Sequence, residues 1–140
     1  MADAADGAPA SGKRAGIHVE LSFPNGGSLG EADVALIETL QRCRSILGAS
    51  KLMGLSYRKT WLMTDALNRT FESKVVETFP GRRGGGAEVT AFGLRLAALF
   101  RSIERRSSSA SAAALAELTA ALSSTFEVQA PAGVEEVPPG

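Results

Sequence analysis

The 140-residue sequence predicts a single, mainly α-helical domain that carries a β-hairpin. Apolar residues recur at helical spacing in several segments, and most of these segments follow a serine or threonine suited to cap a helix. Two short β-prone runs flank a Gly- and Arg-rich loop just before the last strong helical segment. The chain is also long enough to form one stable core without disulfides or metal ions.

The first 16 residues consist mainly of Ala, Gly, Asp and Pro, and this composition predicts a disordered arm. Residues 17–23 then alternate apolar and polar side chains, which is typical of a half-buried strand, and a Pro-Asn-Gly-Gly turn follows. Residues 31–42 place apolar side chains at helical spacing, with Glu31 and Asp33 in the first turn, where the helix dipole favours acidic groups. These patterns predict a strand, a turn and a first helix.

Two further helices follow at once. Ser45 is suited to cap a short helix over residues 46–53, and Gly54 provides the positive φ that often ends a helix. Ser56 is suited to cap a longer helix over residues 57–72. In that helix we expect the indole of Trp61 to pack in the core together with Ala66, Leu67 and Phe71.

The hairpin is predicted from residues 75–79 and 87–90, with a long basic tip between them. Thr90 is suited to cap a last strong helix that ends at Arg106. One apolar stripe of this helix is formed by Phe92, Leu96, Leu99, Phe100 and Ile103. Residues 107–124 are predicted to form either a separate fifth helix or a frayed extension, and residues 125–140 a flexible tail.

The charge distribution suggests a polyanionic partner. Lys and Arg total 15, as do Asp and Glu, so the formal net charge is zero. Residues 42–106 nevertheless contain 13 basic and 5 acidic side chains, a net charge of +8, between acidic ends. A basic block of this kind is typical of proteins that bind nucleic acid or another polyanion.

Composition also excludes several function classes. One His and one Cys exclude three-His and multi-Cys zinc sites within one chain, as well as an intrachain disulfide. The Gly-rich loop lacks a phosphate-loop pattern, and no nucleophile and base pair is indicated. We therefore expect no enzyme activity, no cofactor and no bound metal. No apolar run reaches membrane-spanning length, and the first 16 residues lack the apolar centre of a signal peptide, so we expect a soluble cytoplasmic protein without membrane contact.

The order of the elements is that of a winged helix-turn-helix. Helix one is followed by a short helix, a Gly turn, a longer helix, a hairpin and a last helix. The third helix would enter the major groove of double-stranded DNA, and the hairpin would act as the wing on the backbone or the minor groove. The predicted DNA-binding residues are Ser56, Tyr57, Arg58, Lys59, Thr60, Arg82 and Arg83. Tyr57 has two readings, since its ring can cover the core edge or touch the DNA backbone.

A different reading remains open, in which the winged helix is a protein-protein interaction module without specific DNA binding. Its contact surface would be the last helix around residues 96–103. The basic side chains would then only solvate the surface.

Four sequence features together resemble a known family. They are the run Leu55-Ser56-Tyr57-Arg58-Lys59-Thr60-Trp61, then Leu67-Asn68, then Val75-Val76-Glu77, and the Gly-rich basic loop. The sequence is similar to the DNA-binding domain of the ModE-type molybdate-dependent regulators, a LysR-like winged helix, over residues 17–106. The resemblance implies a homodimer that binds DNA and regulates transcription. Regulators of this type bind the oxyanion in separate C-terminal domains, whereas only 34 residues follow Arg106 here. We therefore expect no molybdate site in this chain alone.

Overall fold

The computed structural model describes residues 14–81 and 86–128. Residues 16–110 form one compact unit, and residues 111–128 belong to a second one. Most of the predicted N-terminal arm, the tail beyond residue 128, and the two predicted wing contacts Arg82 and Arg83 lie outside the described residues.

Over these described ranges the chain is mainly helical and contains two antiparallel hairpins, an architecture compatible with a winged helix. The order of the elements is β1 (Glu20–Ser22), β2 (Ser28–Gly30), α1 (Glu31–Cys43), α2 (Ile46–Met53), α3 (Tyr57–Thr70), β3 (Val76–Phe79), β4 (Gly86–Val89) and α4 (Ala91–Ala120). Among the helices of the described ranges, none is long and apolar enough to cross a membrane.

The N-terminal strand is shorter than predicted and has a partner that the sequence pattern did not indicate. β1 pairs with β2, so that Leu21 faces Leu29 in register. Asn25 organises the turn between them, because its Oδ1 accepts a hydrogen bond from the Gly27 N–H at 3.0 Å. Its Nδ2 donates to the carbonyl of Thr70 at 2.9 Å, which attaches this hairpin to the end of α3.

The predicted helix boundaries around α2 are confirmed. The hydroxyl of Ser45 accepts a hydrogen bond from the Gly48 N–H at 2.8 Å, and Ser56 accepts one from the Lys59 N–H at 3.0 Å. Gly54 ends α2 with φ 69°. These caps follow from local chemistry, since a side-chain oxygen replaces the acceptor that the first turn of a helix lacks.

The second hairpin is joined to the junction of α1 and α2. α1 ends at Arg44, which adopts the left-handed conformation with φ 57°. The Arg44 carbonyl accepts a hydrogen bond from the Ala87 N–H at 3.1 Å, and Ser45 forms an isolated antiparallel bridge with Gly86. β4 is therefore the inner strand of the hairpin, and β3 is the outer one.

The core of the first unit lies around α1, which packs against α2, α3, β2 and β4. The largest side chains that are almost fully buried are Phe100, Leu29, Leu36, Ile37, Leu40, Ile46 and Leu67. Burial of apolar side chains of this size is the main source of stability for a domain of this kind.

α4 begins as predicted but extends further. The hydroxyl of Thr90 accepts a hydrogen bond from the Gly93 N–H at 2.9 Å and lies 2.7 Å from the carbonyl oxygen of Lys74. The helix continues beyond the predicted end at Arg106 to Ala120. The Ser- and Ala-rich segment after Arg106 contains no Gly or Pro before Ala120, and Ala has the highest helix propensity, so the helix is not interrupted there.

The apolar stripe predicted for α4 is only partly a core face. Leu96 and Phe100 are buried, whereas Leu99 and Ile103 are 45% and 38% exposed. The surface around residues 96–103 that we expected for protein contacts is therefore reduced to the exposed pair Leu99 and Ile103.

An ion-pair cluster joins α4 to α1. Arg101 donates to both carboxylate oxygens of Glu38, at 2.8 and 3.0 Å, and also to Glu31 and Glu104. The hydrogen bonds from Arg101 hold the pKa values of Glu31 and Glu38 below the usual range. The three carboxylates raise the pKa of the guanidinium, so Arg101 stays charged.

Candidate nucleic-acid interface

The first turn of α3 is exposed and basic. Ser56, Tyr57, Arg58 and Lys59 are all exposed. The Ser56 hydroxyl accepts a hydrogen bond from the Lys59 N–H. By helix geometry, the N–H groups of Tyr57 and Arg58 have no acceptor within the helix. Free N–H groups at a helix start, next to two cationic side chains, favour a phosphate or another anion.

Thr60, which we expected at this surface, belongs to the core instead. Its side chain is 0% exposed, and its hydroxyl donates to the Ser56 carbonyl at 2.9 Å. Thr64 repeats the pattern by donating to the Thr60 carbonyl at 2.9 Å. Because both hydroxyls are satisfied within their own helix, α3 can bury a face made of Thr60, Thr64 and Leu67.

Trp61 shows the opposite error: we expected it in the core, and it is 44% exposed. Since Thr60 and Thr64 occupy the core face, the indole is turned to the side of α3 that faces the second hairpin. There it lines a groove of about 160 Å³ together with Ile46, Tyr57, Thr78, Phe79, Pro80 and Gly86. The groove has both apolar walls and hydroxyl groups, so it suits a ligand that is itself partly polar.

The outward face of α3 carries a mixed set of side chains. At about 100° per residue, Arg58 and Leu62 lie roughly 150° and 190° around the helix from the mean direction of the buried face. Leu62 is 44% exposed. One turn further on, the Arg69 guanidinium binds the Asp65 carboxylate at 2.8 Å, so these two charges largely neutralise each other. Arg58 and Lys59 form no ion pair with any residue that the structure describes, so the uncompensated positive charge of this helix lies in its first turn.

Asn68 fixes the hairpin to α3. Its Oδ1 accepts hydrogen bonds from the N–H groups of Val75 and Val76, at 2.8 and 3.0 Å. Its Nδ2 donates to the Val76 carbonyl at 2.9 Å. Val75 and Val76 are both completely buried. The Asn68 side chain thus links the start of β3 directly to the helix.

The hairpin is also held by α4. The carbonyl of Val75 accepts a hydrogen bond from the Thr90 N–H at 3.0 Å. A Cβ on Gly93 would overlap that carbonyl oxygen and would lie 2.8 Å from Cγ1 of Val89. The close approach therefore requires glycine at position 93, and the base of the hairpin is held from two sides.

At the other end of the hairpin, Phe79 pairs with Gly86. Arg82 and Arg83 lie in sequence between these two residues, and their side chains are not among those that the structure describes.

The sequence pattern did not indicate Trp61 and Leu62 as surface residues, nor Asn68 as the residue that positions the hairpin. For Asn68 no local signal exists, because its partners are seven and eight residues away across a change of direction.

Comparison with known proteins yields no matching family model, but several similar proteins. The chain is 36% identical over 80 residues to the molybdenum transport protein ModE of Azotobacter vinelandii, covering 56% of this chain and 30% of that protein. It is 42% identical over 72 residues to the molybdenum-pterin-binding protein MopA of Rhodobacter capsulatus, covering 51% of this chain and 27% of MopA.

A third relative is the transcriptional regulator ModE of Yersinia pestis, 37% identical over 68 residues, which are 48% of this chain and 26% of that protein. The homologues of this chain are ModE and molybdenum-pterin-binding proteins. This finding confirms the similarity to ModE proteins over about half of the chain. The chain spans less than a third of the length of these relatives. Two of the relatives are described as transcriptional regulators, those of Yersinia pestis and Haemophilus influenzae.

Proposed function

We propose that this chain is a DNA-binding transcriptional regulator of the ModE type. In this proposal α2 and α3 form a helix-turn-helix, α3 enters the major groove, and the β3–β4 hairpin is the wing. The observation that carries the proposal is the exposed, capped first turn of α3, with its two cationic side chains and its attachment to the hairpin through Asn68. A helix of this width fits the major groove, and its start is electrostatically suited to phosphate.

Each surface residue has a distinct role. Arg58, on the outward face, makes a bidentate contact to guanine, and Lys59 contacts a phosphate. Ser56 binds a phosphate through its hydroxyl and the adjacent N–H groups. Tyr57 and Trp61, on the side that faces the hairpin, contact the sugar-phosphate backbone. This set replaces Thr60, which is buried, with Trp61.

The wing tip adds sequence-independent affinity. Arg82 and Arg83 belong to a Gly-rich run of the chain, and we assign both to the backbone or the minor groove. Their contribution depends on charge rather than on base edges. Contacts to phosphates position a protein on the duplex but do not read its sequence.

We further propose that the regulator is a homodimer. The exposed apolar pair Leu99 and Ile103 lies on one side of α4 and supports contact with a second subunit. Two-fold symmetry then places the recognition helices about 34 Å apart, or a multiple of it, and requires a pseudo-palindromic site. The same pair favours the second candidate function, a protein interaction module without specific DNA binding.

A salt titration tests the proposal and separates the two candidates. The preferred duplex is first selected from a random pool, and its affinity is then measured by fluorescence anisotropy from 50 to 200 mM salt. If Lys59, Arg82 and Arg83 engage phosphates in both subunits, the log–log slope approaches about −5. A slope near zero would overturn the DNA proposal and favour the protein interaction module.

Single substitutions then test the roles of helix and wing. Arg58→Ala is expected to cost about 1 to 3 kcal/mol on the preferred site and to relax the preference at one base position. Arg82→Ala should weaken binding to all sequences alike. Arg105→Ala, an exposed arginine on α4, is the control. A changed base preference in Arg82→Ala, with a uniform loss in Arg58→Ala, would show that the two roles are reversed.

A further inference from the structure

The outward face of α3 contains one large apolar side chain at a position where most DNA-facing residues are polar. Leu62 points almost directly away from the buried face of Thr60, Thr64 and Leu67, and 44% of it is exposed. Ala66, one turn further along, is also exposed. Arg58 precedes Leu62 by one turn on the same face, so the outward face is basic at its start and apolar after it.

The chemistry of the major groove decides what such a side chain can recognise. The floor of the groove presents hydrogen-bond donors and acceptors, and its one apolar group is the 5-methyl group of thymine. Leu62 has no donor or acceptor, so it gains nothing from a polar base edge and would cover the amino group of cytosine at a cost. A thymine methyl group, in contrast, loses its contact with water when Leu62 packs on it.

We propose that Leu62 reads the 5-methyl group of a thymine in the preferred DNA site. This inference rests on the proposed DNA-binding function and adds a second specificity-determining residue to Arg58. Leu62 lies one turn, about 6 Å, along the helix from Arg58 on the same face. The thymine therefore lies close to the guanine that Arg58 contacts, in the same half-site.

The test removes the methyl group from the DNA rather than from the protein. In the selected duplex each thymine is replaced in turn by deoxyuridine, which keeps the base pair and lacks only the methyl group. Wild-type protein is expected to bind the duplex substituted at this thymine, in either half-site, about 3- to 5-fold more weakly, the effect of exposing one buried methyl group. Leu62→Ala should bind the same duplex and its thymine parent equally well.

Leu52→Ala is the matched control, because Leu52 is a leucine on α2 that is 65% exposed and does not lie on α3. It should retain the full sensitivity to the methyl group. Circular dichroism verifies that both variants are folded. The fluorescence of Trp61, the single tryptophan of the chain, reports binding independently of the label on the DNA.

The outcomes separate this inference from the function on which it rests. If the wild-type protein binds the selected duplex but responds to no deoxyuridine, or if Leu62→Ala retains the response, the role of Leu62 is overturned and DNA binding stands. If the wild-type protein selects no duplex from the pool, the proposed function fails and this inference with it.

Discussion

Replacing Asn68 by Ala should release the hairpin from α3. The substitution removes three hydrogen bonds, two accepted from the N–H groups of Val75 and Val76 and one donated to the Val76 carbonyl. A typical hydrogen bond contributes about 1 kcal/mol net, and a buried backbone group left without a partner costs more. Because Val75 and Val76 are completely buried, we expect the free energy of unfolding to fall by about 3 kcal/mol.

Urea denaturation followed by the fluorescence of Trp61 measures this loss, and Asn25→Ala is the matched control. Asn25 also bridges two elements, but its two hydrogen bonds are exposed, so its loss should cost about 1 kcal/mol. Asn68→Asp can still accept the hydrogen bonds from Val75 and Val76, but it cannot donate to the Val76 carbonyl and places a negative charge next to it. Its free energy of unfolding should therefore fall by at least the contribution of one hydrogen bond, about 1 kcal/mol.

The same variants test whether the attachment matters for binding. In Asn68→Ala the hairpin loses its direct link to α3 and keeps its hydrogen bonds to Arg44 and Thr90, so affinity for DNA should fall even where the protein is fully folded. Hydrogen exchange at Val75 and Val76 should accelerate selectively in that variant. A stability loss below about 0.5 kcal/mol with unchanged exchange at these two residues would refute the reasoning, because it would mean that water satisfies these groups equally well.

Three further outcomes are expected. Leu99→Glu should lower the mass measured by sedimentation from dimer to monomer at tens of micromolar while the fold is kept, whereas Leu52→Glu should leave it unchanged; equal masses for both variants would reject α4 as the dimer contact. The two α1 carboxylates bound by Arg101, those of Glu31 and Glu38, have pKa values below the usual 4.5. Their contribution to stability is therefore present above about pH 4.5 and is lost as the pH falls through the lowered pKa values. Urea midpoints measured from pH 6 to pH 3 should fall less steeply in Arg101→Gln than in the wild-type protein. Molybdate at micromolar concentration should not change the DNA affinity of this chain, because residues 107–140 contain four Glu and no Lys, Arg or His; saturable binding in calorimetry that also tightens DNA association would contradict this.

The sequence was sufficient to predict the features that depend on neighbouring residues. Ser45, Ser56 and Thr90 cap helices in the structure, and Gly54 ends α2, because each acts within three or four residues of its own position. The second hairpin was predicted for the same reason, since its two β-prone runs are close in sequence. The caps, the end of α2 and the second hairpin could therefore be predicted without any knowledge of tertiary contacts.

The buried face of α3 could not be predicted in this way. An apolar scale assigns Trp61 to the core and the threonines to the surface, but each buried threonine satisfies its hydroxyl within the helix and costs little to bury. Which face packs inside is then decided by shape and by neighbouring elements. The pairing of β2 with β1 has a similar origin, because Ser28 and Gly30 carry no strand signal of their own.

Asn68 has a consequence for the solubility of the hairpin. Because β4 pairs with β3 on one side and with Ser45 on the other, β3 is the edge of this small sheet. An edge strand can act as a template for a strand of another molecule and so begin aggregation. The Asn68 amide occupies backbone groups at the start of this edge, a charged Glu77 follows, and Pro80 comes directly after the strand. The residue that links the hairpin to α3 thus also protects the molecule from pairing with its own copies through this strand.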